Sequence, residues 1–322
     1  MRSIQTHQTC SLSAVKPLEG LRRYRARCLE ATRAALGEGA ARRMRSPATG
    51  GVLHPAGDVE GVPYARCPAT GSLFLAQLPA PSRWARLLAD VNQYRHAPEG
   101  FHAGLAQSRT DHVYAPKLEW IEDALRLQGI RRPSLLEATT GPSAFTALLE
   151  ESASFSGVVT VDESELAQGR CADARPPVEA AVLLESLDRS HDPEALVRGV
   201  LDRLAPGGLV FVTALVCSGF DVEVLGLKNL YLYPPDRANC FSLGGLSGLL
   251  RRAGLTLLEV STPGVLDVGI VRAHAQQDPS LALSLFERRL LAAGPETHEA
   301  FQAFLQQQGL SSFARLVTRK EP

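Results

Sequence analysis

The stretch from Leu135 to Asp162, LLEATTGPSAFTALLEESASFSGVVTVD, constrains the fold more than any other part of the chain. An apolar run, a short turn, a helical stretch and a β-branched run follow one another. An acidic residue closes the second run. This is the first half of a βαβ unit, in which a parallel pair of strands is joined through a helix. The turn of such a unit normally carries several glycines, because backbone must pass close to a ligand. Here Gly141 stands alone, flanked by Thr139, Thr140, Pro142 and Ser143. The scaffold of a ligand-binding turn is kept and much of its lining is replaced.

The alternation continues downstream. Residues 179–184, EAAVLL, read as a buried strand. Asp192 to Leu204 reads as a helix, with Asp192 as N-cap and Pro193 at the first position. Pro206-Gly207-Gly208 reads as a turn and 209–215, LVFVTAL, as a central strand. A helix over 242–253 ends at Gly254, a strand covers 255–260, residues 275–309 read as helical, and 312–318 form a last strand returning to the sheet edge. Strands alternating with helices predict an α/β fold with a doubly wound, Rossmann-like parallel sheet.

The N-terminal part has a different character. Residues 1–17 are polar. Leu18 to Leu36 has Leu21, Tyr24, Cys28 and Ala35 at helical spacing, with arginines on the other faces. Because Glu19, Glu30 and Glu38 interleave those arginines, the helix reads as solvated rather than as a nucleic-acid contact. Ser46-Pro-Ala-Thr-Gly-Gly51 and Cys67-Pro-Ala-Thr-Gly-Ser72 are near copies of one phrase. They resemble the paired C-P-x-C-G knuckles of a small zinc ribbon. The four ligand positions hold Ser46, Thr49, Cys67 and Thr70. One thiolate among hydroxyls does not make a tetrahedral zinc site, so no zinc is expected. Two unrelated turns are the alternative reading. Residues 82–130 read as helices. The expected layout is a tail and helix over 1–45, a ribbon-like hairpin over 46–80, a helical connector over 81–130, and a sheet domain over 131–322 with a helical insert at 275–309.

Lys+Arg and Asp+Glu are equal at 34 each, so no global charge argues for nucleic acid or an acidic membrane. Six scattered cysteines, none in a CxxC, point to a reducing, cytoplasmic setting. No apolar run reaches membrane-spanning length and the N-terminus lacks a signal-peptide segment.

Residues 134–320 resemble class I S-adenosylmethionine-dependent methyltransferases. The segment VLLESLDRSHDPEALVRGVLDRLAPGGLVFVT carries the likeness furthest, since a P-G-G turn before an apolar strand recurs there. SGFDVEVLG, LYPPDRANCFSLGGLSGLLRRAGL and STPGVLDV resemble a bacterial subgroup that acts on small molecules and surface sugars, whose members often carry an N-terminal zinc ribbon. The resemblance places the cofactor loop at Glu137, Thr139, Gly141 and Ser143. It assigns the ribose hydroxyls to Asp162, 21 residues beyond Gly141, because one carboxylate holds a vicinal diol with both oxygens. Asp173 would be what is left of an adenine-contacting loop. Tyr231, Tyr233 and Asn239 would line the acceptor pocket, with His191 and Asp236 as candidate catalytic groups.

The departures cluster. Thr139 and Ser143 stand where glycines are usual. The stretch 163–179, ESELAQGRCADARPPVE, is too short for the helix and third strand that active members fit there. Two histidines of the family's phrases are replaced by Arg189 and Arg237, and arginine is no base at neutral pH. Methyl transfer mainly needs alignment and exclusion of water, so lost bases alone do not abolish it. Three functional expectations stand side by side. One is a methyltransferase for a small-molecule or sugar acceptor with an eroded S-adenosylmethionine site. The second is a pseudoenzyme serving as a binding scaffold for a protein partner. The third is a pocket repurposed for non-methylating chemistry.

Overall fold

The computed structural model describes residues 12–15, 17–37, 39–97, 100, 102, 104–141, 143–170 and 176–321. Six strands form the main sheet: β1 (Ser134–Thr139), β2 (Gly157–Asp162), β3 (Val178–Leu184), β4 (Leu204–Leu215), β5 (Leu255–Ser261) and β6 (Phe313–Lys320). Their order across the sheet is β5-β6-β4-β3-β1-β2. The pairs β1–β2, β1–β3 and β3–β4 are parallel, while β6 runs antiparallel to both β4 and β5. This is the expected doubly wound α/β sheet, but the last strand, expected at the sheet edge, inserts between β4 and β5, and β5 is the edge on that side.

Alternation along each strand sends side chains to opposite faces. Leu135 and Phe211 join Trp120, Ile121, Phe145 and Leu149 on one face. Leu136, Val210 and Val212 join Leu196, Val197, Leu246 and Leu249 on the other. The covering helices are, in chain order, α1 (Leu18–Ala35), α2 (Pro81–His96), α3 (Ala115–Leu127), α4 (Ala144–Glu151), α5 (Glu163–Ala167), α6 (Pro193–Arg203), α7 (Leu243–Arg252) and α8 (Asp267–Gln277). A third apolar cluster, including Leu21, Tyr24, Trp84, Leu215 and Tyr233, seats α1 and α2 above the carboxyl ends of the strands.

Local chemistry sets several boundaries. Asp192 caps α6, accepting from Ala195 N at 3.0 Å, with Pro193 in the first turn. Ser143, rather than a residue within α4, is that helix's N-cap, and Pro142 lies outside the described residues. The Pro206-Gly207-Gly208 segment is a bulge within β4 rather than a free turn. The β3–β4 register slips between Val178 and Ala180, and Gly207 takes φ +76°. The segment expected to be helical over 275–309 is broken into the end of α8, Leu285–Leu291 and Pro295–Gln307.

The ribbon segment is not a detached module. His54–Val59, Val62–Arg66 and Leu73–Leu75 pair antiparallel, and Asn239–Cys240 from the second half of the chain adds the fourth strand. The four knuckle positions do meet. Thr49 Oγ1 lies 3.5 Å from Cys67 Sγ. Burial pushes the Cys67 thiol up, but hydrogen bonds from Ser46, Thr49 and Thr70 outweigh it and bring it down to about 7. Cys28, Cys67, Cys217 and Cys240 are free thiols. Among the described residues, no group of three or more His, Cys, Asp or Glu is placed to hold a metal, and no helix is long and apolar enough to cross a membrane.

Candidate functional site

Parallel strands end on the same edge, and the order reverses between β1 and β3, which opens a crevice there. A cavity of about 290 Å³ occupies it. Its floor comes from the ends of β1, β3 and β4, at Thr139, Leu184 and Leu215. Leu21 of α1 and Asn92 and Arg95 of α2 form the roof, and Tyr231, Tyr233 and Asp236 close the far side.

All four residues of the expected cofactor loop line this cavity. Glu137 is buried, its Oε2 has no partner among the described residues, and burial pushes its carboxyl up to about 7. Gly141 sits at φ +150°, and a Cβ there would come within 3.2 Å of Asn92 Nδ2. The two residues that replace glycines are turned onto their own backbone. Thr139 Oγ1 donates to Gly141 O at 2.7 Å. Ser143 Oγ accepts from Phe145 N and Thr146 N at 3.2 and 3.3 Å, so two of the free donors at the start of α4 are already engaged.

The end above β2 is different. Asp162 is exposed and is not part of the cavity wall. Its Oδ1 accepts from Ser164 N at 2.8 Å and caps α5. Between β2 and β3 the described residues form only that five-residue helix, and β2 is the sheet's edge. Asp173 lies outside the described residues. Arg189 and Glu163 form a buried bidentate ion pair beside the cavity, at 2.5 and 3.1 Å.

Two of the expected acceptor-side residues do not reach the cavity wall. His191 Nε2 is bonded to Pro79 O at 2.9 Å, its ring faces Trp84, and burial lowers its proton affinity. Asn239 donates to Leu187 O and Ser190 O, both at 2.8 Å, and accepts from Arg43 at 2.6 Å. Both fasten the ribbon segment to the sheet domain. Tyr231, Tyr233 and Asp236 do line the cavity. Asp236 is held by Arg95 at 2.5 Å and accepts from Tyr233 Oη at 3.3 Å and Tyr24 Oη at 3.4 Å. Burial keeps both phenols protonated far above neutral pH. A carboxylate locked into an arginine pair positions α2 over the cavity better than it abstracts protons.

The two histidine-to-arginine replacements are structural. Arg237 Nη2 donates to Glu185 Oε2 at 2.5 Å, and its Nη1 lies 3.3 Å from Asp188 Oδ2. Asp188 is fully buried, and burial pushes its carboxyl up to about 8 against the pull of Arg237. Glu185 is held at φ +58°, a costly backbone state for a non-glycine residue, and its carboxylate bridges Arg237 and Lys117. Sequence reasoning misses Arg95, Lys117, Glu185 and Arg315 as cavity residues. They come from α2, α3, the end of β3 and β6, and no local spacing joins them.

The fold and its crevice define a Rossmann-like, methyltransferase-type α/β architecture. Residues 107–260 match the family model of the methyltransferase domain. Among curated proteins none matches the sequence. Solved structures resembling it include a 1,6-didemethyltoxoflavin-N1-methyltransferase from Burkholderia thailandensis with bound 1,6-didemethyltoxoflavin and S-adenosylhomocysteine. It is 15% identical, with a TM-score of 0.44, covering 84% of this chain and 100% of that one. A plantazolicin methyltransferase in complex with S-adenosylhomocysteine is 14% identical, with a TM-score of 0.40, covering 74% and 95%. Coclaurine N-methyltransferase, bound to N-methylheliamine and S-adenosylhomocysteine, is 10% identical, with a TM-score of 0.36, covering 63% and 72%.

Proposed function

We propose that this protein is a methyltransferase-fold binder of a small molecule, in which the S-adenosylmethionine site is eroded and methyl transfer is inefficient or lost. The observation that carries this reading is the position of Asp162. The carboxylate that the resemblance assigns to the ribose hydroxyls caps its own helix outside the cavity wall. The Arg189–Glu163 pair adds bulk and fixed charge on the same side. The cofactor therefore fits only in part. Glu137 and the open backbone at Gly141 suit the amino-acid half, while the nucleoside half has no built site among the described residues.

The cavity, about 290 Å³ and partly open to solvent, favours a small-molecule ligand over a bare scaffold role, since a scaffold needs no concave pocket with convergent polar groups. In the same reading, Ser46, Thr49, Cys67 and Thr70 mark a ribbon whose metal was replaced by mutual hydrogen bonds. A second reading, an active methyltransferase for a small-molecule or sugar acceptor, draws on the retained Glu137–Gly141 end. Thermal unfolding with millimolar S-adenosylmethionine and S-adenosylhomocysteine separates the two. We expect a shift below about 1 °C, where a ligand at 100 times its Kd would add about 2.7 kcal/mol of stability. A shift of several degrees supports the second reading.

A further inference from the structure

The cavity wall opposite the eroded end holds more positive charge than its own carboxylates answer. Phe313, at the start of β6, carries two cations on one ring. Lys117 Nζ lies 5.4 Å and Arg315 Cζ 6.0 Å from its centroid. Arg315 is 8% exposed, stacks on Trp120 at 5.3 Å and lines the cavity, and its Nε has no partner among the described residues. Among those residues it makes no ion pair. Glu259 and Glu119 act on it only from beyond ion-pair distance, and Glu259 is bonded to Trp120 Nε1 at 3.0 Å. Lys117 is 5% exposed and has Glu185 at 3.5 Å, a carboxylate that Arg237 holds more closely at 2.5 Å. Arg109 adds a third cation to the wall, bonded to Tyr114 rather than to an acid.

The sheet beneath repeats the pattern. Arg315 stands in register with Thr213 on β4 and Ser261 on β5, and the hydroxyls of both are buried without partners among the described residues. Burial of an unpaired charge is costly, so two adjacent buried cations, one without an ion pair and the other with a carboxylate that Arg237 also holds, are an unusual thing to keep. Burial also lowers their proton affinities, Lys117 to about 8 and Arg315 to about 10.

We propose that Lys117 and Arg315 form an oxyanion subsite, which takes the carboxylate or phosphate of the small molecule held in this cavity. The proposal rests on the cavity being a ligand site. The planar guanidinium offers a two-point fork to an oxyanion, the ammonium a point charge, and the Phe313 ring an apolar floor for the atoms next to it. A neutral ligand would leave Arg315 without a counter-charge and Lys117 with only the carboxylate it shares with Arg237.

Calorimetric titration at fixed ionic strength with benzoate, phenyl phosphate and neutral benzamide tests this. At least one anion should bind saturably and at least tenfold tighter than benzamide. Whichever of the two is tighter identifies the group as carboxylate or phosphate. Lys117→Met and Arg315→Met should each weaken the anion at least tenfold, while Arg315→Lys, which keeps the charge and loses the fork, loses less. Thermal unfolding of each variant reports its fold. Equal binding of benzoate, phenyl phosphate and benzamide, or anion binding unchanged in both Met variants, overturns the subsite. S-adenosylhomocysteine is a separate arm. Its micromolar binding would overturn the eroded-cofactor reading, while the subsite would still stand or fall on the anion–amide difference.

Discussion

The two ends of the crevice have taken opposite courses. Above β4 and β6, cations have accumulated on a buried wall, and the space between them is open. Above β2, the acid expected to hold a ligand has turned to capping, and a buried ion pair sits nearby. Both ends have departed from the pattern that the sequence resembles. Only one has been left satisfied by its own partners. Arg189 finds Glu163, and Asp162 finds Ser164 N, so that end needs no ligand. Arg315 makes no ion pair among the described residues, and its Nε has no hydrogen-bond partner there. Self-satisfaction, more than the identity of any one side chain, separates a retired site from a working one.

The largest effect should come from the pair that joins the two ends. Arg237→Met leaves the fully buried Asp188 without its cation and Glu185 with Lys117 alone, and should cost about 3–5 kcal/mol in urea unfolding. A loss below about 1 kcal/mol would show that the bridge carries little. Arg189→Leu should cost a similar amount by leaving Glu163 in an apolar interior. The double variant Glu163→Leu with Arg189→Leu should recover most of it, since removing both members of a buried pair is often neutral or stabilising. If the double variant is no better than the single one, the pair is not a self-contained plug.

Glu137 gives a pH signature for the open end. Its carboxyl is raised from 4.5 to about 7 by burial. The folded state therefore binds a proton that the unfolded state has released, and stability from this group is full below about 4.5 and is lost as pH rises through about 7. The difference in stability between the protein and Glu137→Gln should fall by up to about 1.4 kcal/mol per pH unit across that window. A flat difference would mean the carboxyl is solvated. The smallest effect is expected at Asp162. Asp162→Ala should cost about 1 kcal/mol, the usual worth of an N-cap, and leave anion binding in the cavity unchanged.

The fold is legible in the sequence because its signals are local. The β-branched run before Asp162, the EAAVLL strand and the Asp192–Pro193 cap each carry their own instruction. The missing third strand is legible too, as a shortage of residues between Asp162 and Val178. The segment at Pro206 reads wrongly as a turn because glycines mark a bulge as readily as a reversal, and only pairing with β3 decides. The cavity lining is legible where one segment contributes it, at Glu137 to Ser143. His191 and Asn239 lie off the cavity wall, bonded to Pro79 O in the ribbon segment and to Arg43 just before it, and no local spacing announces either contact. The cationic wall is invisible for the same reason. Lys117 and Arg315 are 198 residues apart, and only the return of β6 into the sheet brings both onto Phe313.

Whether the nucleoside half of the cofactor contributes any binding is the question that most directly separates a retired end from a working one. Calorimetric titrations with S-adenosylhomocysteine and with L-methionine should give the same weak result, no tighter than millimolar for either, and Asp162→Ala should change neither. Micromolar affinity for S-adenosylhomocysteine that disappears in Asp162→Ala would contradict it.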